Sequence, residues 1–329
     1  MKILITGGGG FLGRHIFKKL FGNGHELYSF SRSNSPFYKE NDIHWIQGDI
    51  QNYDDVIEAI KGKDIVFHTA SKVSPWGRWE DFYSTNVIGA KNILKACQKS
   101  GVAKLIYTSS PSVVFGSSDL KGVNESTPYP KKFIAHYGKT KALAEQLILK
   151  AHGKAGVATV ALRPHLIFGE GDPHLIPRML EKAKRNKLFQ VGDGQNLVDV
   201  IYVENAADAH ILAMERLNLY SPIGGKAYFL GQEKPIPLWD FINKILSGVG
   251  REPVKKKISF RFAYSLGHLF ERFYQLCSIY KKEPPITRFV ALQLSKSHYF
   301  DHTNSKRDLG YHPRINLNDA IKRTSNSFS

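Results

Sequence analysis

The strongest constraint on the fold of this chain is a glycine-rich turn near its first residues. The apolar segment Lys2–Thr6 leads directly into residues 7–13, GGGGFLG, and a pattern typical of an amphipathic helix follows over 11–21. Glycines in such a turn allow a tight bend, a close approach of backbone amides to a pyrophosphate, and close packing of the helix on the strand. The segment therefore predicts a binding site for a dinucleotide.

Two glycine spacings fit this turn, Gly8-x-Gly10-x-x-Gly13 and Gly7-x-x-Gly10-x-x-Gly13, and the pattern alone leaves both open. Contacts to the dinucleotide are expected from Gly7, Gly10, Phe11, Leu12 and Gly13.

Short apolar segments alternate with helical patterns through the first half of the chain. Candidate strands lie at 2–6, 26–31, 43–47, 64–69, 104–109 and 157–162, and candidate helices at 53–61, 81–99 and 136–151. This alternation indicates parallel strands joined by right-handed crossovers, hence an α/β fold with a doubly wound parallel sheet of the Rossmann type. We expect 1–168 to bind the dinucleotide, with 199–230 returning to that domain. A smaller, mainly C-terminal substrate-capping region would comprise 169–198 and 231–329.

The end of the second candidate strand bears on which dinucleotide is bound. Enzymes that use NAD place an acidic residue there to bind the ribose hydroxyls, but this chain has Ser31 and Arg32. A guanidinium suits the 2′-phosphate of NADP, so NADP(H) is favoured over NAD(H), although Arg32 as a solvated loop residue is the alternative. Asp49 and Ile50 close the third strand, where the carboxylate would meet the adenine or simply cap the loop.

Three side chains near the fifth strand suggest acid–base chemistry. Tyr137 and Lys141 are four residues apart in a helical segment, so they project from one face. A neighbouring ammonium is expected to lower the pKa of the phenol and make Tyr137 a usable acid near neutral pH. Ser110 follows the preceding strand, at the sheet edge where ligands of parallel sheets gather, and would hydrogen-bond a substrate oxygen.

Several features together resemble the extended short-chain dehydrogenases/reductases: the glycine turn, Asp49, the segment Asn86-Val87-x-Gly89, Ser110, Tyr137-x-x-x-Lys141, and Arg163-Pro164. Residues 107–115, YTSSPSVVF, are similar to the 3β-hydroxysteroid dehydrogenase/isomerase branch. Residues 163–169, RPHLIFG, and 171–178, GDPHLIPR, resemble the bacterial 2-alkyl-3-oxoalkanoate reductases of long-chain olefin biosynthesis. The resemblance extends over nearly the whole chain.

The resemblance implies that Tyr137 donates the proton, Ser110 orients the substrate oxygen and Lys141 holds the nicotinamide ribose. Ser109 and Ser112 compete with Ser110 for its role, and Ser110 matches the family motif. Asn86 is expected to support a proton relay, or else to be structural. Further dinucleotide contacts are expected from Thr69, Ala70, Ser71, Pro164 and Leu166. Substrate contacts are expected from Trp76, Ser110, His165 and Arg178.

The formal charge of +17 favours an anionic partner. The basic residues are scattered without a nucleic-acid-binding motif, so neither DNA nor RNA is expected. Within 255–282, apolar positions at helical spacing lie between Lys255-Lys256-Lys257 and Lys281-Lys282; this indicates either a helix on an anionic membrane surface or a lid helix over the site. We expect a cytoplasmic protein with no bound metal, because its two cysteines have no paired spacing. Association with a membrane surface and a homodimer are left open.

The expected activity is an NADPH-dependent reduction, or the reverse oxidation, at a keto or hydroxyl group of a bulky hydrophobic substrate. The resemblance favours a 2-alkyl-3-oxoalkanoate, whose carboxylate also suits the positive charge, over a sterol or a flavonoid-like ketone. One alternative is a nucleotide-sugar epimerase or dehydratase with tightly held NAD, and Ser31-Arg32 argues against it. The other is a non-catalytic NADP-binding regulator.

Overall fold

The computed structural model describes residues 1–329 and contains fifteen strands and thirteen α-helices. The strands are β1 (Lys2–Thr6), β2 (Glu26–Ser31), β3 (His44–Gln47), β4 (Ile65–His68), β5 (Lys104–Thr108), β6 (Leu120–Val123), β7 (Ala158–Pro164), β8 (Ile167–Phe168), β9 (Gln190–Val191), β10 (Leu197–Val198), β11 (Ile201–Tyr202), β12 (Ala227–Leu230), β13 (Ile236–Pro237), β14 (Lys257–Ile258) and β15 (His298–Phe300). The helices are α1 (Phe11–Leu20), α2 (Pro36–Glu40), α3 (Tyr53–Ile60), α4 (Trp79–Phe82), α5 (Gly89–Ser100), α6 (His136–Leu149), α7 (Leu175–Lys184), α8 (Val203–Arg216), α9 (Leu238–Gly248), α10 (Phe260–Leu276), α11 (Arg288–Ser295), α12 (Thr303–Leu309) and α13 (Leu317–Asn326).

The central sheet has seven parallel strands in the order β12-β7-β5-β4-β1-β2-β3. Side chains of a strand alternate between its two faces. Ile3 and Ile5 pack into the apolar core shared with α1 and α8, whereas Leu4 packs into the core shared with α3 and α5. Helices therefore cover both faces, and the predicted doubly wound sheet is confirmed.

The order of the strands reverses beside β1. The chain first builds outward from β1 to β2 and β3, then returns to place β4 on the other side of β1 and builds toward β5 and β7. Ligands of doubly wound sheets bind outside the carboxyl ends of the strands at this reversal. The turn after β1 and the loop after β4 meet there.

A second, four-stranded sheet lies outside the central one, in the order β13-β10-β15-β6. Most of its strands come from the later part of the chain, but β6 falls within 1–168 and pairs with β15. Close by, α10 packs on α11, while β14 pairs with β9. None of the helices has the length and apolar character needed to cross a bilayer.

The helix predicted over 81–99 is not regular. It begins as α4, passes through a π-helical segment at Tyr83–Ile88, and continues as α5 to Ser100. π-Helical turns in natural proteins often lie at functional sites. Here the irregular turn carries Asn86, whose contacts are described below.

Candidate active site

The glycine turn between β1 and α1 is built around two close backbone approaches. Gly7 has a φ of +69°, and a Cβ at this position would lie 3.0 Å from the backbone of Ala70. A Cβ at Gly13 would lie 2.5 Å from the carbonyl oxygen of Gly7 and 2.7 Å from the Cα of Gly8. Side chains at either position would push α1 or the loop after β4 away from the turn.

The start of α1 presents unpaired backbone donors. Gly10 is the N-cap residue and is exposed, and no side chain caps the helix. No protein oxygen accepts a hydrogen bond from the amides of Phe11 and Leu12. A helix N-terminus with free amides favours an anionic group, so the turn fits the pyrophosphate of a dinucleotide.

The residues expected to determine the preference for NADP(H) over NAD(H) lie at the end of β2. The Ser31 hydroxyl donates to the carbonyl oxygen of Ser33 at 2.9 Å and accepts from the indole of Trp45 at 3.2 Å. Arg32 is exposed and takes part in none of the ion pairs. Its guanidinium therefore stands at the sheet edge without a protein carboxylate.

Arg14 is a neighbouring cation that the sequence pattern did not single out. It follows Gly13 in α1, donates to the Ser35 hydroxyl at 3.2 Å, and lies 5.5 Å from the ring centroid of Phe37. The contact with Ser35 brings it to the loop that contains Arg32. Its position in the first turn of the helix was the available signal, since that turn faces the expected phosphates.

The end of β3 is organised mainly by contacts within the protein. The carboxylate of Asp49 accepts from the backbone amide of Gln51 at 2.9 Å. Ile50 is buried against Gly89, where a Cβ would lie 2.7 Å from the Ile50 Cδ1 atom. Gly89 thus lets α5 approach this loop, and a contact from Asp49 to adenine stays a prediction.

The loop after β4 is tied to the glycine turn through Thr6. The hydroxyl of Thr69 donates to the Thr6 carbonyl oxygen at 2.7 Å, and the Ala70 amide donates to the Thr6 hydroxyl at 3.2 Å. His68 is also bonded to that hydroxyl, at 2.8 Å, and burial lowers the pKa of its imidazole to about 3. The buried hydroxyl of Ser71 has no protein partner. This loop therefore offers a free polar group beside the turn.

Ser110 lies two residues after the end of β5. The Ser109 amide still donates to Leu162 at 2.6 Å, and the Ser109 hydroxyl is buried. Ser110 caps the short 3₁₀ turn Pro111–Val113, and its hydroxyl lies 2.7 Å from that of Ser112. Ser109 is thus buried at the strand end, whereas Ser110 and Ser112 are both half-buried, and the expected role of Ser110 stays a prediction.

Gly138 brings α6 against this serine turn. A Cβ at Gly138 would lie 2.7 Å from the carbonyl oxygen of Ser112, so only glycine lets the first turn of α6 pack so closely. The preceding residue, Tyr137, is therefore held close to the serine turn. Burial raises the pKa of Tyr137, and Ser110 opposes that rise.

The amine of Lys141 lies at the end of β5. Its Nζ donates to the Thr108 carbonyl oxygen at 2.6 Å and lies 4.3 Å from the ring centroid of Tyr107. Burial lowers the pKa of Lys141 to about 7, with Glu145 acting in the opposite direction. We expected the ammonium to lower the pKa of Tyr137; the structure instead shows a raised pKa, because loss of solvent around the phenol has the largest effect.

A buried ion pair anchors α6 to the sheet. The carboxylate of Glu145 accepts from Arg163 Nη2 at 2.6 Å and from Nε at 2.9 Å, and both side chains are almost fully buried. The Tyr129 hydroxyl donates to the same carboxylate at 2.7 Å. Since Glu145 is one helical turn beyond Lys141, this pair fixes α6 on β7.

Asn86 connects α6 to the loop after β4. Its side-chain amide donates to the Lys72 carbonyl oxygen at 3.1 Å and to the Thr140 hydroxyl at 3.0 Å, while its oxygen accepts from the Lys72 amide at 2.7 Å. Asn86 is 1% exposed. These contacts give it a structural role, and a part in proton relay stays a prediction.

The residues expected to meet substrate are spread around this edge. The Trp76 indole donates to the Ile279 carbonyl oxygen at 2.9 Å and stacks on Tyr280. His165 is buried and bonded to His298 at 2.6 Å, whereas Arg178 is exposed and paired with Glu283 at 2.9 Å.

After Pro164 the backbone turns sharply, and Leu166 has a φ of +43°, a value uncommon for a residue with a side chain. The chain therefore bends at the end of β7, beside β5. Contacts from Pro164, Leu166, His165, Arg178 and Trp76 to ligands stay predictions.

Lys141 should make the stability of the fold depend on pH. The ammonium has a pKa of about 7 in the folded chain against an ordinary value of 10.5, so between these values the unfolded chain binds the extra proton and stability rises with pH. Relative to Lys141→Met, the wild type is expected to gain about 2 kcal/mol of unfolding free energy between pH 7 and pH 9.

Chemical denaturation at the two pH values measures this difference. Lys150→Met, which removes an exposed lysine from the end of the same helix, is the control and should follow the wild type at both values. An equal difference between wild type and Lys141→Met at pH 7 and pH 9 would show that the amine keeps an ordinary pKa.

Comparisons with known proteins show the family to which the chain belongs. Residues 4–261 match the model of the 3-beta hydroxysteroid dehydrogenase/isomerase family. The chain is 42% identical to a 2-alkyl-3-oxoalkanoate reductase of Stenotrophomonas maltophilia, with 98% of each chain covered. It is 37% identical to a decarboxylating sterol-4-alpha-carboxylate 3-dehydrogenase of Mus musculus, covering 99% of this chain and 91% of the relative.

Solved structures add support for the fold. The crystal structure of gox2253 is similar with a TM-score of 0.79 at 27% identity, covering 99% of this chain and 97% of that one. The UDP-glucuronic acid 4-epimerase of Bacillus cereus in complex with NAD has a TM-score of 0.76 at 20% identity, covering 99% and 98%. At that identity the likeness shows the fold alone.

Proposed function

Because the chain belongs to the 3-beta hydroxysteroid dehydrogenase/isomerase family and is an oxidoreductase, we propose that it uses NADPH to reduce a keto group of a bulky hydrophobic substrate. The observation that carries this proposal is the packing of α6, which carries Tyr137 and Lys141, against the serine turn and the end of β5. This contact lies at the carboxyl ends of the sheet strands, as the glycine turn does. A 2-alkyl-3-oxoalkanoate is the favoured substrate, in line with the name of the reductase relative of Stenotrophomonas maltophilia.

The residues present fit a bound dinucleotide. The free amides of Phe11 and Leu12 would hold its pyrophosphate, and Arg32 with Arg14 would hold a 2′-phosphate. Lys141 would hold the nicotinamide ribose. When bound, the reduced nicotinamide supplies the hydride for the carbonyl carbon.

The protein's own side chains would orient the substrate oxygen and donate a proton to it. The Ser110 hydroxyl would orient the substrate oxygen, and Tyr137 would donate its phenolic proton to that oxygen. A raised pKa keeps the phenol protonated until the oxygen becomes basic. The buried ammonium of Lys141 would stabilise the negative charge that develops nearby.

A substrate panel tests the proposal. The purified chain is mixed with NADPH and either a 2-alkyl-3-oxo acid, a sterol ketone or UDP-glucose, and NADPH absorbance is followed. We expect oxidation of NADPH with the oxo acid. Conversion of UDP-glucose to its epimer without net NADPH consumption would instead support the epimerase hypothesis. Absence of turnover with every ketone would contradict the proposal.

Arg32 provides a separate test of cofactor preference. Arg32→Gln removes a charge-assisted bond to phosphate worth about 1.5–3 kcal/mol, so the Kd for NADPH should rise about 10- to 100-fold while that for NADH changes little. Fluorescence titration measures both constants. Lys154→Gln, an exposed lysine elsewhere on the surface, is the control.

Arg14→Gln tests whether Arg14 contributes to NADPH affinity as well as Arg32. Equal loss in Arg14→Gln and Arg32→Gln would mean that both hold the phosphate, as proposed. NADPH affinity that survives both substitutions would overturn the assignment of NADP.

A further inference from the structure

Helix α10 carries an apolar stripe that faces away from the protein. Phe262, Leu269, Phe273 and Leu276 are 59%, 65%, 54% and 87% exposed. Their spacing of seven, four and three residues places them on one side of the helix. Single exposed apolar residues are common on protein surfaces, but four large ones on one side of a helix are typical of an interaction surface.

The opposite side of α10 is already fully used by the fold. Ala263 is completely buried, and a Cβ at Gly267 would lie 2.8 Å from the backbone amide of Arg288. Glu271 is buried and accepts from the Arg288 guanidinium at 2.6 Å. The helix is therefore anchored to α11 by its inner side. The sequence pattern suggested one apolar face for the segment; the structure shows an inner face and a separate outer stripe.

Basic residues surround the outer stripe. Arg261 and Arg272 are exposed on α10 itself, Lys255-Lys256-Lys257 precede the helix, and Lys281-Lys282 follow it. The three acidic residues of 251–283 are Glu252, Glu271 and Glu283. Each of these has a basic partner in the structure. The net field around the stripe is therefore positive.

We propose that α10 docks on the surface of a bilayer that contains anionic lipids, with the stripe in the acyl boundary and the basic residues at the lipid phosphates. An apolar layer directly beside a layer of negative charge is the chemistry that matches both features. No helix of the protein has the length and apolar character to cross the bilayer, so the helix lies along the surface.

A second copy of the chain is a poorer match for the stripe. In a two-fold symmetric dimer the same patch meets itself, so the cations around the stripe would face their own copies, which is unfavourable. The bilayer has the complementary charge.

Docking in this way would also place the candidate site close to the membrane. The segment after α10 contacts Trp76 through the Ile279 carbonyl oxygen and Tyr280. Trp76 lies in the loop after β4, which also contains Thr69 and Ser71. An apolar substrate dissolved in lipid would then reach the loop without crossing water. The docking itself does not depend on which substrate is used.

Vesicle flotation of the whole chain tests the inference. The wild type is expected to float with vesicles of phosphatidylcholine and phosphatidylglycerol, to bind vesicles of phosphatidylcholine alone much less, and to be released by high salt. Leu269→Gln/Leu276→Gln should weaken binding at least about tenfold, since each side chain loses apolar burial. Lys281→Glu/Lys282→Glu should weaken binding only to the anionic vesicles.

Matched controls use other parts of the surface. Leu219→Gln/Tyr220→Gln removes exposed apolar side chains in the loop after α8, and Lys91→Glu/Lys99→Glu reverses two charges on α5. Both should bind as the wild type does, and circular dichroism checks that every variant is folded. Absence of binding to anionic vesicles at low salt, or equal loss in the controls, would overturn the inference. A wild-type dimer that Leu269→Gln/Leu276→Gln converts to monomers would assign the stripe to self-association instead.

Discussion

Tyr137→Phe is expected to lower kcat/KM for the ketone substrate by about 10²- to 10⁴-fold, the range that a positioned general acid contributes. The substitution removes the phenolic proton and leaves the aromatic ring in place. Because the glycine turn and Arg32 are untouched, the Kd for NADPH should stay within about threefold of the wild type. Steady-state kinetics with NADPH titration measures both effects.

Tyr53→Phe is the matched control for this loss. The Tyr53 hydroxyl is also buried, has no protein partner, and belongs to a ring with a lysine amine, that of Lys95, 4.2 Å from its centroid. Tyr53 is the first residue of α3, and its ring faces Lys95 of α5 rather than the serine turn, so deletion of its oxygen should leave turnover unchanged. Full activity in Tyr137→Phe would contradict the assigned acid.

Glu145→Leu is expected to lower the free energy of unfolding by about 3–5 kcal/mol, because it leaves the buried Arg163 guanidinium without a counter-charge. The pair is bidentate, with bonds of 2.6 and 2.9 Å, and the side chains are 0% and 3% exposed. The loss of the Tyr129 hydroxyl's acceptor adds to the effect. Urea denaturation measures the change.

The double variant Glu145→Leu/Arg163→Leu separates an unpaired charge from lost packing. Removal of both partners leaves no buried charge, so the double variant should be more stable than Glu145→Leu alone. A double variant at least as unstable as the sum of the two single changes would mean that packing, not charge compensation, holds α6 on β7.

Much of the fold was predictable because the signals are local. The alternation of apolar segments and helical patterns depends on neighbouring residues, and β1 and β2 have the predicted bounds at 2–6 and 26–31. The strand order at the sheet edge then brings the serine turn and α6 to one place. The family resemblance is confirmed by the match over residues 4–261.

The remaining features depend on contacts between distant parts of the chain. β6 pairs with β15, far along the sequence, in a register that neither short segment specifies alone. His165 meets His298, and Glu145 meets Arg163, through packing that no spacing pattern indicates.

The irregular turn around Asn86 has a similar origin. The sequence pattern of residues 81–99 predicts an uninterrupted helix, yet the structure has a π-helical turn at Tyr83–Ile88. The Asn86 amide bonds at Lys72 and Thr140 are made at this turn. Hydrophobic periodicity carries no information about such polar contacts.

The central claim is that the phenol of Tyr137 faces the reactive end of a dinucleotide whose phosphates lie on the turn at Gly10. A crystal structure of the chain with NADP⁺ measures this most directly. It should show the pyrophosphate bonded to the amides of Phe11 and Leu12, the 2′-phosphate at Arg32, and the nicotinamide ring beside Tyr137. A nucleotide bound elsewhere, or a nicotinamide ring separated from Tyr137 by protein, would contradict the account.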